Sequence, residues 1–225
     1  MNGNRLIPAT LAAAICCAFA LPVQAQQGIE RISGDITAEA GQAYGDLETV
    51  SGDVEIGDNA RIEDASSVSG DIDAGDGVTA ESLSSVSGDV EVGRNARVSG
   101  DLESVSGDVF VDRGSQVGGD IETVSGSIGI VGTELAGGIE TVSGDVTVGD
   151  GSRVKGSLRV EKPDNGLGIS FGGRKPRIVI GPGAVVEGPM VFEREVTLYV
   201  HDSARTGKIT GATAIRFSTP VPPKR

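Results

Sequence analysis

The sequence predicts an all-β fold: a single-stranded, three-sided β-solenoid (β-helix) with 18–19 residues per turn. Three observations predict it. Near-copies of Thr49-Val50-Ser51-Gly52-Asp53-Val54 return at Ser67, Ser85, Ser104, Thr123 and Thr141. Their glycines (Gly52, Gly70, Gly88, Gly107, Gly126, Gly144) stand 18, 18, 19, 19 and 18 residues apart, which is one repeat per solenoid turn. Within each turn aliphatic or small residues recur every six positions, through Ile32, Ala38, Tyr44, Val50, Ile56, Ile62, Val68, Ala74, Ala80, Val86, Val92 and Val98. After one-residue slips the series continues as Val105, Val111, Val117, then Val124, Ile130, Ala136, Val142, Val148, Val154 and Val160. Finally, the residue two before each is also apolar or small, as in Val54-Glu55-Ile56, Ala60-Arg61-Ile62 and Ser66-Ser67-Val68. In-out-in alternation over so short a span means brief strands, three to a turn, whereas a helix needs apolar spacing near 3.6.

Taken in order, residues 1–25 read as a cleaved secretory signal. Arg5 gives the cationic start, an apolar run extends from Leu6 to Leu21, and Val23 and Ala25 fit the small-x-small cleavage rule. The apolar run is shorter than the roughly 20 residues of a spanning helix, so no transmembrane span is expected. Cys16 and Cys17 both lie in this signal and leave the mature chain without a thiol. Lipidation needs a small residue before the modified cysteine, but Ile15 precedes Cys16.

Residues 26–162 form the β-solenoid repeats, about seven turns and a rod of roughly 35 Å at the usual strand spacing. Gly-Asp and Asp-Asn pairs supply the corners, because glycine tolerates positive φ and Asx side chains bond nearby backbone groups. Residues 163–177 break the pattern with Pro163, Gly166, Gly168, Gly172, Gly173 and Pro176, which predicts a side loop carrying the apolar trio Leu167, Ile169 and Phe171. The pattern resumes over 178–217 with larger residues (Met190, Phe192, Tyr199, Phe217), as the last turns and a C-terminal cap. Pro220, Pro222 and Pro223 make 218–225 a flexible, extended tail.

The formal charge of −13 is unevenly placed: residues 26–162 hold 27 acids against 9 bases, residues 163–225 hold 5 against 9. So acidic a body repels phosphate backbones and anionic lipid, which disfavours nucleic acid as a partner and favours cations or basic partners.

Unrolling the hexads gives three faces. The first carries hydroxyls on both sides of its valine: Thr49/Ser51, Ser67/Ser69, Ser85/Ser87, Ser104/Ser106, Thr123/Ser125 and Thr141/Ser143. Two such columns on a flat sheet are candidates for surface recognition, although short uncharged residues that stack without repulsion and keep a sheet soluble explain them more simply. The second face shows Glu55, Asp73, Glu91, Phe110, Gly129 and Thr147; the third shows Arg61, Arg97 and Arg153. Asp53, Asp71, Asp89, Asp108 and Asp145 line the corner after the first face, with Ser127 interrupting. This column is a candidate for divalent cations such as calcium, although turn chemistry explains an Asp after each Gly. No catalytic constellation and no cofactor motif stands out. His201, the one histidine, falls beyond the main repeats and reads as a surface or cap residue.

The repeated Val-Ser-Gly-Asp-Val unit, with Val92-Gly93-Arg94-Asn95-Ala96-Arg97-Val98-Ser99-Gly100-Asp101-Leu102, resembles the polymer-forming bactofilins and bacterial adhesin-like β-helix repeat proteins. The resemblance covers roughly residues 30–217. It implies a right-handed, triangular β-helix that polymerises end to end without nucleotide; from the residues alone either hand is open. Bactofilins are cytoplasmic, and the secretory signal departs from that pattern. The expectation is therefore a non-enzymatic, exported structural or adhesin-like protein of the cell envelope, periplasmic or at the cell surface, that self-associates. The rival is a binding module whose hydroxyl face recognises a repetitive surface such as polysaccharide, ice or mineral.

Overall fold

The computed structural model describes residues 27–163 and 174–223; the leader 1–25 and the trio Leu167, Ile169 and Phe171 lie outside them. The described chain is a β-solenoid of short parallel strands, two to five residues each. The first face is a ten-stranded sheet running from Ile29–Arg31 to Ile209–Thr210, the second a ten-stranded sheet from Ile36–Ala38 to Ala214–Phe217. The third has seven strands, from Thr79–Ala80 to Arg205–Thr206, and is prolonged at its start by the bridges Ala43↔Arg61↔Thr79. Each strand pairs with its equivalent one turn away, as in Leu47↔Ala65 and Leu102↔Ile121. Ten strands at about 4.8 Å spacing make a rod about 43 Å long.

The core is a set of stacked aliphatic columns. On the second face the inward pairs are Val54/Ile56, Ile72/Ala74, Val90/Val92 and Val109/Val111; on the first face Leu47, Leu83, Leu102, Ile121, Ile139 and Leu158 are wholly buried. Fully burying such a side chain contributes about 1.5–3 kcal/mol each, and every rung repeats the gain. At the corner leading into the third face the chain turns through a left-handed Gly or Asn in every described turn but the last, where Ser203 takes the place: Gly41, Asn59 (φ 57°), Gly77, Asn95 (φ 55°), Gly114, Gly132, Gly151 and Gly183.

The hexad period holds on the second face and largely on the third, but fails on the first. The inward pairs are Leu47/Thr49, Val54/Ile56, Ala60/Ile62 and then Ala65/Ser67. The sides of a turn are therefore seven, six and five residues rather than three sixes. As a result Ile32 is 83% exposed and Val50, Val68, Val86 and Val105 are 44–50% exposed, where the period had placed them in the core. Ala136 is likewise exposed and Leu135 buried in its stead.

The cause lies at the next corner. A Cβ on Gly70, Gly88, Gly107, Gly126 or Gly144 would collide with the carbonyl oxygen of the corner glycine one turn below. Backbone stacks directly on backbone there, and the neighbouring inward site has room for a hydroxyl rather than a valine.

The ladder step from Val148 to Ile180 spans 32 residues instead of the usual 18 or 19, and residues 164–173, which make up most of the expected side loop, lie outside the described residues. The last turns bury Met190, Phe192, Leu198 and Val200. Residues 218–223, expected as a free tail, turn back to the rod: Arg177 Nη2 donates to the Pro223 carbonyl at 3.2 Å, its guanidinium 5.1 Å from the Tyr199 ring centre. Among the described residues no helix is long and apolar enough to cross a membrane.

Candidate functional site

The repeated corner motif is divided between the inside and the outside of the rod. Thr49, Ser67, Ser85, Ser104, Thr123 and Thr141, expected on the surface, are all buried. Each of the first five donates its hydroxyl to a corner glycine carbonyl of the turn before, as Ser85 Oγ to Gly70 at 3.1 Å and Ser104 Oγ to Gly88 at 3.2 Å. The hydroxyl oxygens of Ser85, Ser104, Thr123 and Thr141 also accept from the glycine three residues on, as Gly107 N–H to Ser104 Oγ at 2.9 Å and Gly144 N–H to Thr141 Oγ1 at 3.0 Å. These hydroxyls satisfy corner amides and carbonyls that the sheet ladder leaves over. The flat two-column hydroxyl face therefore does not exist. Only Ser51, Ser69, Ser87, Ser106, Ser125 and the half-buried Ser143 reach the surface, along a corner.

What the first face presents instead is an apolar column beside an acidic one. Ile32, Val50, Val68, Val86, Val105, Val124 and Val142 stack outward just after the strands, ending at Glu161. The outward residue within each strand is Glu30, Glu48, Ser66, Ser84, Glu103, Glu122, Glu140 and then Arg159. Between the two columns runs a groove floored by the strand ends. Its main segment, about 440 Å³, extends from Ser66 and Val68 to Glu140, Val142 and Glu161. A further segment continues past Val50 and Ile32 to Glu30.

The electrostatics of the groove follow from acids stacked with Arg159 as the one base in their column. Glu140 is pushed up to about 7, first by a hydrogen bond shared with the Glu161 carboxyl and then by burial, with Arg159 opposing. Burial, then Glu103 and Asp120, raises Glu122 as well. On the second face Asp73 is raised by burial and by the like charges of Asp71, Asp53 and Glu55.

The candidate calcium column has a different occupation. Asp53 Oδ1 accepts the Asp71 N–H at 2.9 Å, Asp71 that of Asp89 at 2.8 Å, Asp89 that of Asp108 at 2.7 Å, and Asp108 that of Ser127 at 2.7 Å. Asp145 continues the line across the long ladder step, accepting from Arg177 N–H and pairing with Arg174 at 2.7 Å. The same device recurs at other corners: Asp58 accepts from Asp76 N–H and Asp76 from Arg94 N–H at a second, and Asp101 from Asp120 N–H at a third. The Asp columns bond one turn to the next, and among the described residues no group of three or more acids or histidines is placed to hold a metal ion. His201 is half-buried in the cap, its Nδ1 2.8 Å from Ser203 Oγ and its ring edge-on to Phe217.

The groove was missed because the valines were assigned inward. The signal was present: Leu47, Leu83, Leu102, Ile121, Ile139 and Leu158, with Ala65 among them, recur at the turn interval, and all but Ala65 outweigh the valines in bulk, which phases Glu48 and Val50 outward.

Among known families, residues 62–171 match the model described as Toastrack DUF4097, a β-solenoid-like family. No curated protein and no solved structure gives a match. The match carries the β-solenoid part of the resemblance seen in the sequence; the bactofilin and adhesin parts have none behind them.

Proposed function

We propose, from a Toastrack-like β-solenoid as premise, that this protein is an exported, non-catalytic scaffold of the cell envelope that associates end to end. One observation carries the reading: among the described residues the two ends of the rod are open and opposite in charge. Among the described residues, Ile29–Arg31 and Ile36–Ala38 each have a strand neighbour on one side only, as do Ile209–Thr210 and Ala214–Phe217. Open sheet ends are templates for pairing with another chain. The first turn, residues 27–46, carries Glu30, Asp35, Glu39 and Asp46 against Arg31. The last, residues 199–217, carries Arg205, Lys208 and Arg216 against Asp202. Head-to-tail stacking thus brings an acidic end onto a basic one and continues all three faces, whereas head-to-head stacking sets like charges together. The apolar run Leu6–Leu21 with Val23 and Ala25 supports export, to be checked by the N-terminal sequence of protein recovered from the envelope.

The test of assembly is light scattering over a concentration series with electron microscopy of the same samples. Expected are rods in multiples of the single length that shorten with salt, and that Arg205→Glu/Lys208→Glu dissociates. A monomer at all concentrations overturns the assembly reading.

A further inference from the structure

We infer that the groove along the first face is a docking surface for a basic amphipathic helix of a partner polypeptide. The groove lies on the side of the rod, so the inference is independent of assembly at its ends.

Its apolar wall is an aligned column, with Val50, Val68, Val86 and Val105 each close to half exposed at one turn after another. Single exposed valines are ordinary, but a contiguous stripe along most of a rod is an interaction surface. The facing wall is neutral at Ser66 and Ser84 and anionic on either side of them: Glu48, Glu103, Glu122 and Glu140 form no ion pair with Lys or Arg among the described residues. The Glu140 carboxyl is hydrogen-bonded to that of Glu161, with Arg159 one turn on as its nearest cation. An occupant must therefore bring an apolar stripe and a row of positive charge side by side.

A helix suits this better than an extended chain. The groove runs across the face of the sheet, whose amides and carbonyls are already paired between turns, so an added strand finds no edge. A helix arrives with its own backbone bonds made. Its pitch of about 5.4 Å lies near the strand spacing of about 4.8 Å, and about twenty residues span the stretch from Val50 to Glu161. A second copy of the rod would set glutamate row against glutamate row, and an anionic membrane surface would meet the same repulsion.

The probe is a fluorescent synthetic peptide of about twenty residues with one leucine stripe flanked by lysines, titrated against the full chain by anisotropy. Val68→Ser/Val86→Ser/Val105→Ser, which leaves the charge unchanged, is expected to weaken binding at least tenfold. Glu103→Gln/Glu122→Gln/Glu140→Gln is expected to do the same. The equal charge change on the second face, Glu55→Gln/Asp73→Asn/Glu91→Gln, is expected to stay within twofold. Thermal melts confirm folding of each variant. Should the valine triple not fold, Val86→Thr alone is expected to weaken binding about threefold. Equal weakening by the second-face control, which signals attraction by net charge alone, overturns the inference. So does an unaffected valine variant, or no binding to the unaltered protein.

Discussion

Two columns one residue apart run the length of the same corner, and they reverse the usual rule. The inner column, Thr49 to Thr141, is hydroxyl, and the outer, Val50 to Val142, is aliphatic. The difference teaches what each position is for. Inside, the glycine corner leaves amides and carbonyls unpaired and leaves little room, so a small group that both donates and accepts is the residue that fits. Outside, no packing demand calls for valine, and its recurrence builds one wall of a groove. The inner column belongs to folding, and the outer column is available to a partner.

The largest effect expected from breaking this arrangement comes from the corner itself. Gly107→Ala puts a Cβ onto the Gly88 carbonyl. It should cost at least about 3 kcal/mol, a fall of about 6–12 °C in Tm for a chain of this size, read by circular dichroism.

Next comes the exchange of character between the columns. Ser104→Val orphans the Gly88 carbonyl and the Gly107 amide and should cost about 1–3 kcal/mol in a urea melt. Val105→Ser, one residue on, should stay within about 0.5 kcal/mol. Equal costs for the two would erase the distinction.

A smaller effect separates the Asp columns from both. Asp89→Ala removes the acceptor of the Asp108 N–H and should cost about 1 kcal/mol. Asp89→Asn keeps a carbonyl oxygen there and should be close to neutral by the same melt. If Asn is as damaging as Ala, the carboxylate charge is required and a bound cation is implied.

The smallest concerns the groove wall. Glu140 titrates near 7 in the folded rod against an ordinary 4.5, so the folded state holds a proton that the unfolded chain releases. Stability therefore falls as pH rises from about 4.5 through 7. Glu140→Gln should raise Tm by about 1 °C at pH 8, because solvent screens a group this exposed, and should change nothing at pH 4. A stabilisation that persists at pH 4 would place its origin outside the Glu140–Glu161 pair.

Much of the architecture is legible in the sequence. The turn length follows from Gly52 to Gly144, and the inward pairs Val54/Ile56 and Ala60/Ile62 from simple alternation. The phase of the first face is not legible from the hexads, because the three sides differ in length and Val50 continues the period while facing out. Hydrophobicity alone favours valine over threonine for the core. Only the hydrogen bonds of Thr49 and its equivalents, which need the stacked turn below, reverse that preference. The Asp columns misled for a related reason: their partners are backbone amides a full turn away, so no local motif marks them. The groove required both columns in correct phase, and so became visible only in the assembled rod.

The central claim is that the hydroxyl column faces in and the valine column out, and cysteine accessibility tests it most directly. Ser104→Cys and Val105→Cys, made separately in the folded protein, would be treated with a maleimide and the modified residue identified by mass spectrometry. The predicted result is rapid labelling at Val105→Cys and protection at Ser104→Cys until denaturant is added. Rapid labelling at Ser104→Cys with protection at Val105→Cys would contradict the fold phase, the groove and the docking surface together.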